Sequence, residues 1–281
     1  MKREKCLDFC EILSYLLKKK LDLKKIYETA KKQAGYDTCE RIYFGSSFCG
    51  KYFLHQRKQV IEELKELCQK EGIHLTMTVP VFSQSDLAAG KEKIKELCEI
   101  CQDVMDEITV NDYAMVVYLA GQCRQNLNLG RIFTKDYRDP RYKEYFSQTW
   151  FPKIFTAYLK NFLYKYKIAG IEFDPTHELI DLSQLPEKIT AGVHEPYCYM
   201  TMGRICQYAS FPYASIEQKF RANMPCGEEC QDTVIIYDAE EEKQKFIRIG
   251  RAVFFYNPDI QIKGVSNYRS IYLPMDMEVK A

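Results

Sequence analysis

The sequence predicts a single α/β domain over residues 1–281, built as a TIM-like parallel (β/α) barrel or an incomplete one, with a cysteine-rich C-terminal region. Three observations lead there. Short β-type runs alternate with segments of helical period from residue 41 to residue 173, the order of βα units around a parallel sheet. The 281 residues are 46% hydrophobic and 14% aromatic, enough to bury one large core. No internal repeat and no low-complexity linker divides the chain.

Residues 1–36 read as a helical N-terminal segment. Leu7, Cys10, Ile12, Leu16, Leu17, Leu21, Leu23, Ile26 and Ala30 recur at roughly helical spacing, with lysines between them, as in one or two amphipathic helices. Gly35 breaks the pattern. Arg41 to Gly45 is a short β-type run that ends in the small residues Ser46 and Ser47. Val60, Ile61, Leu64, Leu67 and Cys68 then share a helix face until Gly72. A strand (Ile73 to Val79), a helix (Lys91 to Gln102), a strand (Glu107 to Val110) and a helix (Tyr113 to Arg124) continue the alternation. Leu127 to Tyr142 is basic and turns at Asp139-Pro140, Ile154 to Tyr166 is helical, and Gly170 to Phe173 is the next strand. From residue 190 to residue 256 the chain becomes cysteine-bearing and β-rich, with a hairpin-like pattern from Thr233 to Tyr256.

Charge excludes some functions. Lys and Arg number 40 against 39 Asp and Glu, which gives no electrostatic reason for a general nucleic-acid or membrane-surface binder. The charged start and the short apolar run from Ile12 to Leu17, ended by three lysines, fit neither a secretory signal nor a membrane span, so the expected location is the cytoplasm. Twelve cysteines are then unusual as a disulfide framework, because cytosolic thiols are kept reduced. The excess points to metal ligation, to an anaerobic host, or to both.

Cys226-Gly227-Glu228-Glu229-Cys230 places two thiols four residues apart in a loop that can wrap both around one metal. Cys206 lies twenty residues upstream, after Gly203-Arg204-Ile205, and Cys49 follows the strand ending at Gly45, where α/β folds present functional groups. Four thiolates from separate loops at one barrel mouth suit an iron–sulfur cluster. Zinc is the rival, although structural zinc sites usually bring two close cysteine pairs and this chain has one. Ordinary buried thiols are the third reading.

Four stretches resemble the collagenase-like peptidase family (U-32), and within it the UbiV type of the UbiU/UbiV pair. They are Ile42 to Lys51 with its Phe-Gly-Ser-Ser-Phe-Cys-Gly-Lys, Leu129-Gly130-Arg131 through Arg138-Asp139-Pro140-Arg141, Gly203 to Cys206, and Cys226 to Cys230. The resemblance implies that Cys49, Cys206, Cys226 and Cys230 hold a four-iron four-sulfur (4Fe-4S) cluster. Cys198, near His194-Glu195-Pro196 and close to where other family members carry a ligand, is the alternate to Cys206. The resemblance further implies oxygen-independent hydroxylation with a homologous family member as heterodimer partner. The substrate would be a quinone precursor, RNA or a peptide, with prephenate implicated as oxygen donor. The helical segment up to Tyr36 stands where the family has a short first strand. The older peptidase label finds no Ser/His/Asp order and no His-Glu-x-x-His motif in this chain.

Among the other residues, His194 is a candidate proton donor or a hydrogen-bonded structural histidine. His177, after Asp174-Pro175, reads as a loop residue, and Cys98 and Cys101 read as helix packing rather than a redox pair. Arg131, Lys135, Arg138 and Arg141, interleaved with Phe133, Tyr137 and Tyr142, read as a solvated basic face before a ligand site. Tyr208, Phe211 and Tyr213 read as an apolar shell for the cluster.

Overall fold

The computed structural model describes residues 2–19, 21–135, 145, 149, 150, 152, 154–176, 178–239 and 244–275. The chain begins with β1 (Lys2–Asp8), α1 (Leu13–Lys18) and α2 (Leu23–Gln33). β2 (Arg41–Gly45) leads into α3 (Gly50–Leu54) and α4 (Lys58–Glu71), β3 (His74–Val79) into α5 (Leu87–Ile100), and β4 (Met105–Val110) into α6 (Tyr113–Leu119). β5 (Asn126–Leu129) is followed by β6 (Thr149–Trp150), α7 (Ala157–Lys165), β7 (Ile168–Phe173), β8 (Leu179–Asp181) and β9 (Thr190–Glu195). Then come β10 (Tyr197–Met202), β11 (Ile235–Ala239), β12 (Gln244–Ile249), β13 (Ala252–Tyr256), β14 (Gln261–Lys263) and β15 (Asn267–Tyr272).

β1, β2, β3, β4, β5, β7, β9 and β15 pair in parallel, each with the next, and β15 returns to β1, so the barrel is closed. The expectation of a TIM-like α/β barrel holds, and the alternative of an incomplete one does not. One expectation is corrected: the N-terminal segment is not helical throughout, because Lys2–Asp8 is the first barrel strand. Its sequence is four charged residues, then Cys6, Leu7 and Asp8, and only Leu7 joins the apolar core outside the barrel.

Local chemistry sets the helix ends. Asp22 caps α2 by accepting from the Lys25 amide at 2.8 Å, and Thr156 caps α7 by accepting from the Leu159 amide at 3.2 Å. Gly72 stops α4 in the left-handed region at φ +68, where a Cβ would be strained. The helices bury one face each, including Ile26 and Ala30 of α2, Ile61 and Leu64 of α4, and Met115 and Val116 of α6, against outward strand residues such as Ile42, Phe44, Leu75, Met77 and Ile108. Each fully buried aliphatic side chain in this layer contributes about 1.5–3 kcal/mol. Among the described residues, no helix is long and apolar enough to cross a membrane.

The last crossover departs from the βα rule. Between β9 and β15 the chain builds a four-stranded antiparallel sheet, in the order β10-β13-β12-β11, and a long loop. That loop, between β10 and β11, carries Cys206, Cys226 and Cys230.

Candidate metal centre at the barrel mouth

The barrel lumen is polar. Register places Glu4, Cys6 and Asp8 beside Arg269, Ile271, Arg41 and Tyr43, and continues the same face through Thr76, Glu107, Thr109 and Asn128. Bonds that cross the barrel prove the direction of these side chains. Arg269 donates to Glu107 at 2.7 Å and to Glu4 at 2.6 Å, and Arg41 donates to Glu4 at 2.8 Å and Thr76 at 3.0 Å, closing a lower layer. Cys6, Tyr43 and Ile271 form an apolar step above it.

The upper layer lies at the C-terminal ends of the strands, where βα barrels present their chemistry. Arg131 is 1% exposed, donates to Asp174 through Nε at 2.8 Å, and lies 3.5 Å from Asp8. The rings of Phe48 and Phe254 flank its guanidinium at 5.5 and 5.4 Å. His194 Nε2 lies 3.0 Å from Glu172 and Nδ1 lies 3.4 Å from Asp8, so a carboxylate faces each ring nitrogen. Only the doubly protonated ring presents a proton to both. Burial and the charge of Arg131 lower its pKa, but hydrogen bonds to Asp8 and Glu172 and the charge of Asp174 prevail and raise it to about 9. Thr109 completes the layer by donating to Glu172 at 2.7 Å.

Glu11 joins this layer to the cysteine loop. It sits at φ +60, buried, and accepts from the Ser46 hydroxyl and from the Phe48 amide at 3.1 Å. The Cys49 amide donates to the same Ser46 hydroxyl at 2.8 Å. Burial first, and the charge of Asp8, push the Glu11 carboxyl up to about 7.

Above the lumen, four thiols converge. Cys49 is buried at the start of α3, where its sulfur accepts from the Tyr52 amide at 3.5 Å. Cys206 is held by its carbonyl, which accepts from Ser210 Oγ at 3.3 Å, and Ser210 also receives the Phe220 amide at 3.0 Å. A bridge between Ile205 and Ala222 ties this segment to the stretch leading into Cys226. Glu228, in the left-handed region at φ +64, turns the chain between Cys226 and Cys230, and Lys18 of α1 pairs with Asp232 at 2.8 Å.

Three of the thiols are raised, and a neighbouring thiol adds to the shift in each. Burial pushes Cys49 up to about 11, Arg251 pulls it down, and Cys206 and Cys226 push it further up. Cys230 is raised by burial and then by Cys49, Cys226 and Cys206; Cys226 is raised by burial, with Cys206 adding to it. Among the described residues, no three Cys, His, Asp or Glu side chains close to the spacing of a single metal ion. The donor chemistry, four soft free thiols and a buried Arg251 Nε with no acceptor, fits a larger sulfur-bound group.

Cys198 does not join the set. It is fully buried in β10 against Phe246, Val253 and Phe255, with its thiol 3.8 Å from the His194 carbonyl. His194 lies in the lumen, enclosed by carboxylates rather than facing the thiols. The solvated reading of Arg131 is corrected: it is the most voluminous of the fully buried side chains. Lys135 lies 5.0 Å from the Tyr199 ring, and Phe133 meets Tyr113 edge-on at 4.6 Å. Arg138, Arg141, Tyr137, Tyr142 and His177 lie outside the described residues. Tyr208 is buried and feels Cys230, whereas Phe211 is exposed. Cys101 is buried in the core and Cys98 packs at its edge.

Asp8, Glu11, Glu172 and Asp174 were not legible as a group, yet a signal was present. Glu107-Ile108-Thr109-Val110-Asn111 and Ile171-Glu172-Phe173-Asp174 alternate polar with apolar, whereas buried parallel strands ordinarily read as continuous apolar runs. Fold and site together define an eight-stranded parallel barrel with four cysteines gathered on loops at its C-terminal mouth. No family model matches the chain, and neither a curated protein nor a solved structure matches it.

Proposed function

We propose that this chain is an iron–sulfur protein in which Cys49, Cys206, Cys226 and Cys230 hold one 4Fe-4S cluster, and that it serves an oxygen-independent hydroxylation or related redox modification with a homologous partner. The observation that carries the reading is the convergence of four thiols, contributed by the β2–α3 loop and two separate stretches of the β10–β11 loop. The chain brings one close cysteine pair, Cys226 and Cys230, where structural zinc sites usually bring two, and this favours a cluster over zinc.

When bound, the cluster supplies one-electron chemistry. The chain does the rest. Phe48, next to Cys49, packs against the Tyr199 ring at 4.6 Å, putting aromatic surface beside the first thiol. Glu11 and Ser46 fix the backbone of the Cys49 loop by three hydrogen bonds to Ser46, Phe48 and Cys49. Burial, with neighbouring thiols adding to it, raises Cys49, Cys226 and Cys230, so metal loading there would release protons. An open cleft of about 280 Å³, lined by Ile205, Gln207, Phe220, Arg248 and Arg251, adjoins Cys206. That opening favours an enzyme over a closed, non-catalytic iron–sulfur scaffold.

The test is electron paramagnetic resonance of anaerobically purified, dithionite-reduced protein. A reduced 4Fe-4S signal is expected. Protein that carries no cluster refutes the reading, and proteolysis that survives iron removal points to a peptidase.

A further inference from the structure

We infer that Arg251 is the hydrogen-bond donor and counter-charge of the four-cysteine site, and that it sets the reduction potential of the group held there; this rests on the cluster reading above. Arg251 stands in the tight turn between β12 and β13. Gly250 occupies the left-handed region at φ +52, which a residue with a Cβ adopts only under strain, and the Arg251 carbonyl accepts from the Gly203 amide at 3.3 Å. The turn is thus fastened to the segment that leads into Cys206.

The Arg251 side chain is half-buried, and its Nε is inaccessible to water and has no hydrogen-bond acceptor. A buried unsatisfied donor is costly and calls for a missing partner. The other groups nearby are engaged. Asp86, whose carboxylate also feels Arg251, is held by Lys51 at 2.7 Å and Ser83 at 2.8 Å. Arg248, across the same cleft, donates to the Tyr237 hydroxyl at 2.9 Å. Arg251 thus brings to the cleft a buried donor with no acceptor, and its charge reaches Cys49.

Four thiolates bring more negative charge than a cluster cancels, and reduction adds one more. Net charge and hydrogen bonds to sulfur are two levers that set cluster potentials. A guanidinium that donates to a cluster sulfur would satisfy its own N–H and favour the reduced state. Removing it disfavours reduction.

The experiment is an anaerobic redox titration of wild type, Arg251→Gln and Arg251→Lys, followed by electron paramagnetic resonance with iron and sulfide content measured on each. Arg251→Gln is expected to shift the one-electron equilibrium against the reduced form by about tenfold, a potential about 59 mV lower. Arg251→Lys, which keeps the charge but not the planar donor, is expected to recover most of that shift. If Arg251→Gln fails to hold a cluster, the lysine variant decides: a potential near wild type supports the assignment, and a loss of cluster there too overturns charge compensation. A full cluster with an unchanged potential in Arg251→Gln overturns the inference while leaving the cluster reading intact. Wild type without iron and labile sulfide overturns both.

Discussion

Replacing His194 by Gln removes a buried cation from between two carboxylates in the lumen. The ring is 1% exposed, 3.0 Å from Glu172 and 3.4 Å from Asp8. A rise in pKa from 6.5 to about 9 on folding corresponds to about 3 kcal/mol of stability, at about 1.4 kcal/mol for each tenfold change. Because the folded value is the higher one, this contribution is fully present below pH 6.5 and is lost as pH rises through about 9. Urea unfolding of wild type and His194→Gln between pH 6 and pH 10 reads it as a difference, in which groups that titrate alike in both proteins cancel. Wild type is expected to exceed the variant most at pH 6, and the gap is expected to shrink by about 3 kcal/mol at the alkaline end. A gap that does not change with pH, or an imidazole that titrates at or below 6.5 by NMR, refutes the reading of His194 as a lumen cation.

Glu11 moves the other way on neutralisation. Its carboxyl rises from 4.5 to about 7 on folding, so its contribution is present below pH 4.5 and lost as pH rises through about 7. Glu11→Gln is expected to be more stable than wild type at pH 8 by up to about 3 kcal/mol and equal to it near pH 4.5; equal unfolding midpoints in urea at pH 8 contradict this. Arg131→Met strands Asp174 without its cation, while Asp8 keeps His194, and is expected to cost about 3–5 kcal/mol by denaturant unfolding; a loss below about 1 kcal/mol contradicts the buried pairing. A Cβ on Gly45, at φ +103, would lie 2.4 Å from the Thr78 carbonyl oxygen, whereas one on Gly35, at φ +65, meets nothing. Gly45→Ala is therefore expected to lower the melting temperature well beyond Gly35→Ala, for which about 1–2 kcal/mol is expected, and equal losses contradict the barrel register.

Much of the barrel was legible because its outer face is ordinary. Helix faces such as Ile61, Leu64 and Cys68, and strand residues such as Ile42 and Phe44, pack in one apolar layer and give clean periodicity. β1, β5 and β15 escaped notice, and each sends polar residues into the lumen, as the legible strands β2, β4 and β7 also do. Lys-Arg-Glu-Lys-Cys-Leu-Asp carries one outward apolar residue in the core, and Glu4 and Asp8 look like surface charges until Arg41, Arg269 and Arg131 are seen opposite them. The cysteines were legible by spacing and position, since the end of β2 is where a barrel presents side chains. Their approach across more than 150 residues of sequence was not, because it depends on the antiparallel sheet that replaces the last crossover helix. Arg251 gave no sequence signal: its orphaned Nε and its charge at Cys49 emerge only in the fold.

The central claim is that these four thiols, and not Cys198, hold one cluster. Iron and acid-labile sulfide content on anaerobically purified wild type and single Cys→Ala variants at Cys49, Cys198, Cys206, Cys226 and Cys230 tests it most directly. About four iron and four sulfide per chain are expected in wild type and in Cys198→Ala, with loss in each of the other four variants. Zinc or no metal in wild type, or a cluster that survives Cys206→Ala and is lost in Cys198→Ala, contradicts the account.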